Sequence, residues 1–205
     1  TDRDGAYAAD VDFDELRISD FARWDRTDES RLIVANTGQH RLQVYDLLGN
    51  AISTYGSPGA APGEFNQPLA LTWTDPQRRE ALLVVDGANG RIQRLDFDGD
   101  TLSQPAIVAD GFSAPAGVAV GPDGSLLVSD MARDTVSQVD ATGHIVATWN
   151  GPNDGHGGTF ADPRGLALAP DDSILVADSG NARVVAIEGA FPRRVYAPLL
   201  AVCGP

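Results

Sequence analysis

Residues 163–187 read PRGLALAPDDSILVADSGNARVVAI. The stretch contains three short apolar runs, separated by turns that are rich in Pro, Gly, Asp and Asn. Short apolar runs between such turns, without a 3.6-residue apolar period, are typical of β-strands and not of helices. The stretch therefore predicts a Pro-led strand followed by two more strands.

The second and third of these runs recur along the chain, each pair joined by an acid or its amide and a short polar turn. The four copies are RLIVANTGQHRLQVYD (31–46), ALLVVDGANGRIQRLD (81–96), SLLVSDMARDTVSQVD (125–140) and SILVADSGNARVVAIE (173–188). The acid or amide positions are Asn36, Asp86, Asp130 and Asp178, at spacings of 50, 44 and 48 residues. A period of this length is typical of one four-stranded propeller blade per repeat.

An inner and an outer strand complete each repeat. The inner strands are predicted at 18–24, 68–73, 115–120 and 163–168, and Gly-bearing hairpins after the repeats lead to outer strands, the last of them RRVYA from Arg193. The fold class is therefore all-β. We predict a β-propeller with four recognisable four-stranded blades, at 18–56, 68–109, 115–150 and 163–197.

The last eight residues, PLLAVCGP (198–205), parallel PAGVAVGP (115–122) in length, in their Pro boundaries and in their apolar centre. This similarity predicts the start of a fifth blade. Residues 1–205 would then form a single propeller domain or a fragment of one, part of a five- or six-bladed wheel.

These repeats resemble the NHL family of β-propellers over nearly the whole chain. The motifs that carry the resemblance are the V-A-D-x-x-N-x-R-V core at 176–184 and the G-x-F-x-x-P linkers GEFNQP (63–68) and GTFADP (158–163). Two positions depart from the pattern: Asn36 replaces the acid in the first blade, and Thr135 replaces the arginine in the third. The resemblance implies that the repeat acids mostly serve the fold. They would accept N–H groups of the turn, with Arg41, Arg91 and Arg183 pairing with nearby carboxylates.

The charge balance bears on the classes of partner. The formal net charge is −14 at pH 7, with 15 basic residues, all of them Arg, against 29 acidic ones. Such a surface repels phosphate backbones and anionic lipid headgroups, so we expect no nucleic-acid partner. No apolar run is long enough for membrane insertion. The single cysteine, Cys203, allows no internal disulfide, and the compartment stays open, an extracytoplasmic location included.

The sequence predicts no catalytic residue, no metal ligand and no cofactor. His40, His144 and His156 do not share a metal-ligand spacing. The serines lack a G-x-S-x-G elbow, and Cys203 has no identifiable base. We interpret DFDGD (96–100) first as a hairpin turn and only second as a weak cation site.

The candidate binding residues are polar side chains of the turns and loops: Arg41, Asn89, Arg91, Arg133, His156, Asn181 and Arg183. The loops differ in length while the strand cores repeat, which favours a rigid scaffold that presents variable loops. We predict a protein-interaction or ligand-recognition scaffold that binds a protein or a small molecule on its loop face, with further domains in a longer parent chain. The alternative is a metal-dependent lactonase, hydrolase or lyase of the six-bladed type, which requires a divalent ion near the central axis.

Overall fold

The computed structural model describes residues 18–25, 30–75, 78, 81–152 and 158–191, and it places them in four antiparallel sheets. Each sheet is one blade with its strands in chain order. The strands are β1–β4 at Ile18–Asp25, Ser30–Asn36, Arg41–Asp46 and Ala51–Tyr55; β5–β8 at Pro68–Trp73, Ala81–Asp86, Arg91–Phe97 and Leu102–Ala109; β9–β12 at Pro115–Val120, Leu126–Asp130, Thr135–Val139 and Ile145–Trp149; and β13–β15 at Pro163–Leu168, Ile174–Asp178 and Arg183–Ile187.

The predicted all-β propeller with four blades is confirmed. Two finer predictions, the outer strand RRVYA of the fourth blade and the start of a fifth blade at 198–205, lie outside the described residues. The helical residues in the described ranges form short 3-10 turns, and none of them could span a membrane.

Neighbouring blades share apolar cores, and β6 shows how. All six residues of β6 are buried. Leu82 and Val84 belong to the core shared with blade 1, whereas Leu83 and Val85 belong to the core shared with blade 3. A strand that is covered on both faces needs no polar alternation, so the first five residues of β6, ALLVV, form a continuous apolar run before Asp86.

Blade 4 is covered differently. Ile174 packs into the core shared with blade 3, but Leu175 is 37% exposed and Val184 is 72% exposed. Leu127 and Val136, at the equivalent positions of blade 3, are 0% exposed because blade 4 covers them. Within the described residues, therefore, only one face of blade 4 is packed against another blade.

The first strands β1, β5, β9 and β13 pack side by side in that order, and we call the line that they face the axis. In an antiparallel blade the start of the first strand and the end of the second lie on the same side. That side carries the interblade linkers and the turns after the second strands at 37–40, 87–90, 131–134 and 179–182. We call it the linker face.

Candidate functional site

The acid that ends the second strand of blade 2 is the centre of a buried polar cluster on the linker face. Asp86 is 0% exposed, and its Oδ2 accepts hydrogen bonds from Arg91 Nε at 2.7 Å, Asn89 Nδ2 at 2.9 Å and Gln93 Nε2 at 3.0 Å. Its Oδ1 accepts the backbone N–H of Asn66 at 2.7 Å. Four donors satisfy this buried carboxylate.

The same cluster holds the linker that precedes the blade. The Arg91 guanidinium donates to the carbonyls of Ala60, Ala61 and Glu64. We expected the acid to bind N–H groups of its own turn, but in blade 2 its backbone donor is Asn66 of the preceding linker. The 3-10 turn closes on itself through Gly90 N–H and the carbonyl of Gly87. The acid is therefore available to fix the linker.

Blade 4 repeats this arrangement. Asp178 Oδ1 accepts the N–H of Ala161 at 2.7 Å, and Oδ2 accepts from Arg183 Nε at 2.6 Å and Asn181 Nδ2 at 2.9 Å. Burial acts to raise the pKa of Asp178, but the hydrogen bonds from Ala161, Asn181 and Arg183 outweigh it. The pKa of Asp178 therefore lies below its ordinary value, and the cluster favours the charged carboxylate.

Blade 3 keeps the acid but loosens its contact with arginine. Asp130 accepts the linker N–H groups of Ser113 at 2.7 Å and Ala114 at 3.0 Å, and the turn N–H of Arg133 at 3.3 Å. The Arg133 side chain approaches Asp130 only to 3.7 Å. Thr135 stands where blades 2 and 4 have their arginine, so the guanidinium comes from the turn instead.

Blade 1 differs more from blades 2 and 4, because it has an amide in place of the strand-end acid. Asn36 is 0% exposed; its Oδ1 accepts the N–H of Gln39 at 3.1 Å, and its Nδ2 donates to Gln39 at 3.0 Å and Gln43 at 2.9 Å. Arg41 was expected to pair with a carboxylate, but its buried Nε has no hydrogen-bond partner in the described chain. The reason is local, since Asn36 replaces the acid that binds this arginine in blades 2 and 4.

These contacts bear on the predicted binding residues. Asn89 and Asn181 also donate to linker carbonyls, those of Gly59 at 2.8 Å and Thr159 at 3.0 Å. Asn89, Arg91, Asn181 and Arg183 thus donate to the strand-end acids and to carbonyls of the preceding linkers. A role of these residues in binding stays a prediction, and His156 lies outside the described residues.

A cavity of about 710 Å³ lies on the axis, lined by first strands of all four blades. Its lining includes Asp20 of β1, Leu71 of β5, Val118 of β9 and Arg164 of β13, with Met131 from the turn after β10. This cavity was not among the predictions from the sequence. The pattern that could have indicated it is the recurrence of first strands with small residues, such as Ala and Gly in PAGVAV and PRGLAL.

Two residues of opposite charge, Asp20 and Arg164, are part of the lining of this cavity. Asp20 Oδ2 accepts the N–H of Leu71 at 2.8 Å, which holds the carboxylate between blades 1 and 2. Arg164 pairs with Asp162 at 2.9 Å, and 58% of its side chain is exposed. The cavity lining therefore combines apolar residues with a carboxylate oriented by Leu71 and an arginine paired with Asp162, a mixture that binding pockets commonly have.

Gly117 is required for the close approach of β9 and β13. A Cβ at Gly117 would clash with the carbonyl oxygen of Arg164. Ser129 Oγ joins the two strands, because it accepts the N–H of Gly117 at 2.9 Å and donates to the carbonyl of Arg164. This junction fixes the backbone on one side of the cavity.

The described residues contain no group of three His, Cys, Asp or Glu side chains that could hold a metal ion. In DFDGD, Asp98 accepts the N–H groups of Thr101 at 2.8 Å and Asp100 at 3.1 Å, and these turn contacts lower its pKa. Asp100 in turn pairs with Arg31 at 2.7 Å. The segment forms the hairpin turn that the sequence favoured.

Comparison with known proteins agrees with this architecture. The NHL repeat model matches residues 160–187, which span the linker, β13, β14 and β15. The chain is 26% identical over 111 residues to the E3 ubiquitin-protein ligase NHLRC1 of Rattus norvegicus, and 24% identical over 110 residues to that of Homo sapiens. These matches cover 54% of this chain and 26% of each relative, so the chain spans about a quarter of the curated relatives.

Solved structures show the same fold. Virginiamycin B lyase of Staphylococcus aureus superposes with a TM-score of 0.61 at 17% identity, over 84% of this chain and 53% of that one. An auxiliary nutrient binding protein of Bacteroides ovatus superposes with a TM-score of 0.59 at 14% identity, over 82% of this chain and 47% of that one. These likenesses show that the chain has a β-propeller fold, and the matched segment at residues 160–187 is an NHL repeat within it.

Proposed function

We propose that the chain is a protein-recognition module that binds a peptide segment of its partner at the axial cavity. The observation that carries the proposal is the cavity itself, of about 710 Å³, which is lined by the first strands of four blades and includes Arg164, whose side chain is 58% exposed. A pocket on rigid strands loses little conformational entropy when it binds a ligand.

The chemistry of the lining favours a peptide over a nucleic acid. Leu71, Val118 and Met131 offer apolar contacts, while Asp20 and Arg164 offer charges of opposite sign. The curated relatives are E3 ubiquitin-protein ligases, and the matched quarter of their length supports a recognition role here, not ligase activity. The metal-dependent hydrolase or lyase remains the alternative, and metal analysis of the purified protein with chelator-dependent melting tests it.

Panning a displayed random peptide library on the full chain tests the proposal. We expect selected peptides to lose about tenfold or more in affinity for Arg164→Ala, because the substitution removes a charged contact at the cavity. Arg94→Ala is the matched control, since Arg94 also pairs with an aspartate two residues away, at 2.7 Å, but lies outside the cavity lining. Peptides that bind both variants like the wild type would refute the assignment of the site.

A further inference from the structure

We propose that blade 1 carries a carboxylate-binding site centred on Arg41, separate from the axial cavity. Blade 1 differs from blades 2 and 4 of the same chain at the residue that pairs with its arginine. In blades 2 and 4 the arginine five positions after the strand-end acid donates Nε to that acid, at 2.7 Å from Arg91 and 2.6 Å from Arg183. Blade 1 keeps the arginine as Arg41 but has Asn36 at the acid position.

The replacement of the acid by Asn36 reverses the direction of one side-chain hydrogen bond. In blade 2, Gln93 donates to the carboxylate of Asp86 at 3.0 Å. In blade 1 the direction is reversed, because Asn36 Nδ2 donates to the equivalent Gln43 at 2.9 Å. The one side-chain oxygen of Asn36 accepts the N–H of Gln39. Asn36 therefore offers Arg41 neither a negative charge nor the second oxygen that a carboxylate would provide.

Arg41 is thus a cation without a counter-ion in the described chain. Its Nε atom is buried and has no hydrogen-bond partner there. A guanidinium stays protonated, and a buried N–H without an acceptor is unfavourable. Its planar fork fits the two oxygens of a carboxylate, the group that its equivalents bind in blades 2 and 4. A ligand that brings a carboxylate to the linker face would complete the cluster.

His40, the residue before Arg41, already has a hydrogen-bond partner. Its Nδ1 accepts the N–H of Gln67 at 3.0 Å, and Thr37 in the same turn donates to the carbonyl of Pro68 at 2.6 Å. The turn that precedes Arg41 is therefore anchored to blade 2, and it presents a fixed backbone to the ligand. The carboxylate can come from an acidic peptide of a partner or from acidic residues of this chain itself.

The first experiment supplies the missing acid. Asn36→Asp places a carboxylate where blades 2 and 4 have theirs, and we expect a rise in melting temperature of about 2–4 °C. In an Arg41→Met background the same change should give no rise, because the new carboxylate then has no cation. An equal rise in both backgrounds, or no rise in either, would overturn the proposal.

The second experiment measures binding with an acetylated, amidated tetra-aspartate peptide at constant ionic strength, with the tetra-asparagine peptide as control. We expect the aspartate peptide alone to raise the melting temperature of the wild type. The rise should vanish in Arg41→Met and Asn36→Asp but persist in the control Arg94→Met, since the Arg94 side chain is 41% exposed. A response that survives Arg41→Met, or a larger response to inorganic phosphate than to the peptide, would contradict a carboxylate site.

A third arm identifies the source of the carboxylate. Asp10, Asp12 and Asp14 form an alternating acidic run in the sequence, and a full chain with all three changed to Asn is titrated with the same peptide. If only this variant responds, the chain supplies its own carboxylate; if the wild type responds equally, a partner supplies it. If neither responds, the site does not exist. Because Arg41 is outside the cavity lining, failure here leaves the peptide-recognition test through Arg164 unaffected.

Discussion

Arg91 Nε lies 2.7 Å from Asp86 Oδ2, and both side chains are almost completely buried, at 7% and 0% exposure. The pair closes blade 2 onto its preceding linker. In blade 4 the equivalent Arg183 is 33% exposed over its fully buried partner Asp178. The two blades therefore contain the same ion pair with different exposure of the arginine.

Removing the acid should destabilise the fold more in blade 2 than in blade 4, because the arginine of blade 2 is more completely buried. We expect Asp86→Ala to lower the free energy of unfolding by about 3–5 kcal/mol, because it leaves a buried guanidinium without its counter-ion. Asp178→Ala should cost about 1–3 kcal/mol, since water reaches Arg183. Urea unfolding measures both, with the exposed Asp110→Ala as a control that should change little. Unchanged stability with loss of a binding activity would show that these acids act in function and not in the fold.

Acid should destabilise the chain partly through Asp178. Its pKa in the folded state is below the ordinary value of 3.8, at which the unfolded chain titrates. The unfolded state therefore takes up this proton first as the pH falls, and the stabilisation present above about pH 4 is lost as the pH drops through the folded pKa. Asp178→Asn should be less stable at pH 7 and less sensitive to acid. Parallel pH profiles of the two proteins would contradict this.

A charged substitution at equivalent apolar positions of blades 3 and 4 should have very different effects on stability. Val136→Asp places a charge in a closed interblade core and should prevent folding or cost about 4 kcal/mol or more. Val184→Asp, at a position that is 72% exposed, should change stability by about 0.5 kcal/mol or less. Thermal melts of the two variants check this. A large loss in Val184→Asp would mean that this face is covered in solution.

Nucleic acid should not bind appreciably at physiological salt. The chain carries 15 basic against 29 acidic residues, which leaves little favourable counter-ion release. Fluorescence anisotropy with labelled RNA and duplex DNA at about 150 mM salt should show no micromolar binding. Affinity that weakens steeply as salt is added would reveal a basic face that the overall charge conceals.

Much of the propeller could be predicted from the residues alone. Strand and turn patterns are local, so the repeat of apolar run, acid, turn and apolar run is sufficient to place β2 and β3, β6 and β7, and their later copies. The departure at Asn36 was also visible. Its consequence was not, because the absence of a partner for Arg41 depends on which groups surround the guanidinium.

The sequence by itself therefore determined the blade repeat, the strands within each blade and the positions of the strand-end acids. Tertiary structure alone decided the rest. It brought Asp20 and Arg164 to one axial cavity although 144 residues separate them. It gave Asp86 its donor Asn66 in the preceding linker, and it buried Val136 while exposing Val184. Each of these depends on contacts between segments distant in the chain, which local patterns of hydrophobicity and turn chemistry do not encode.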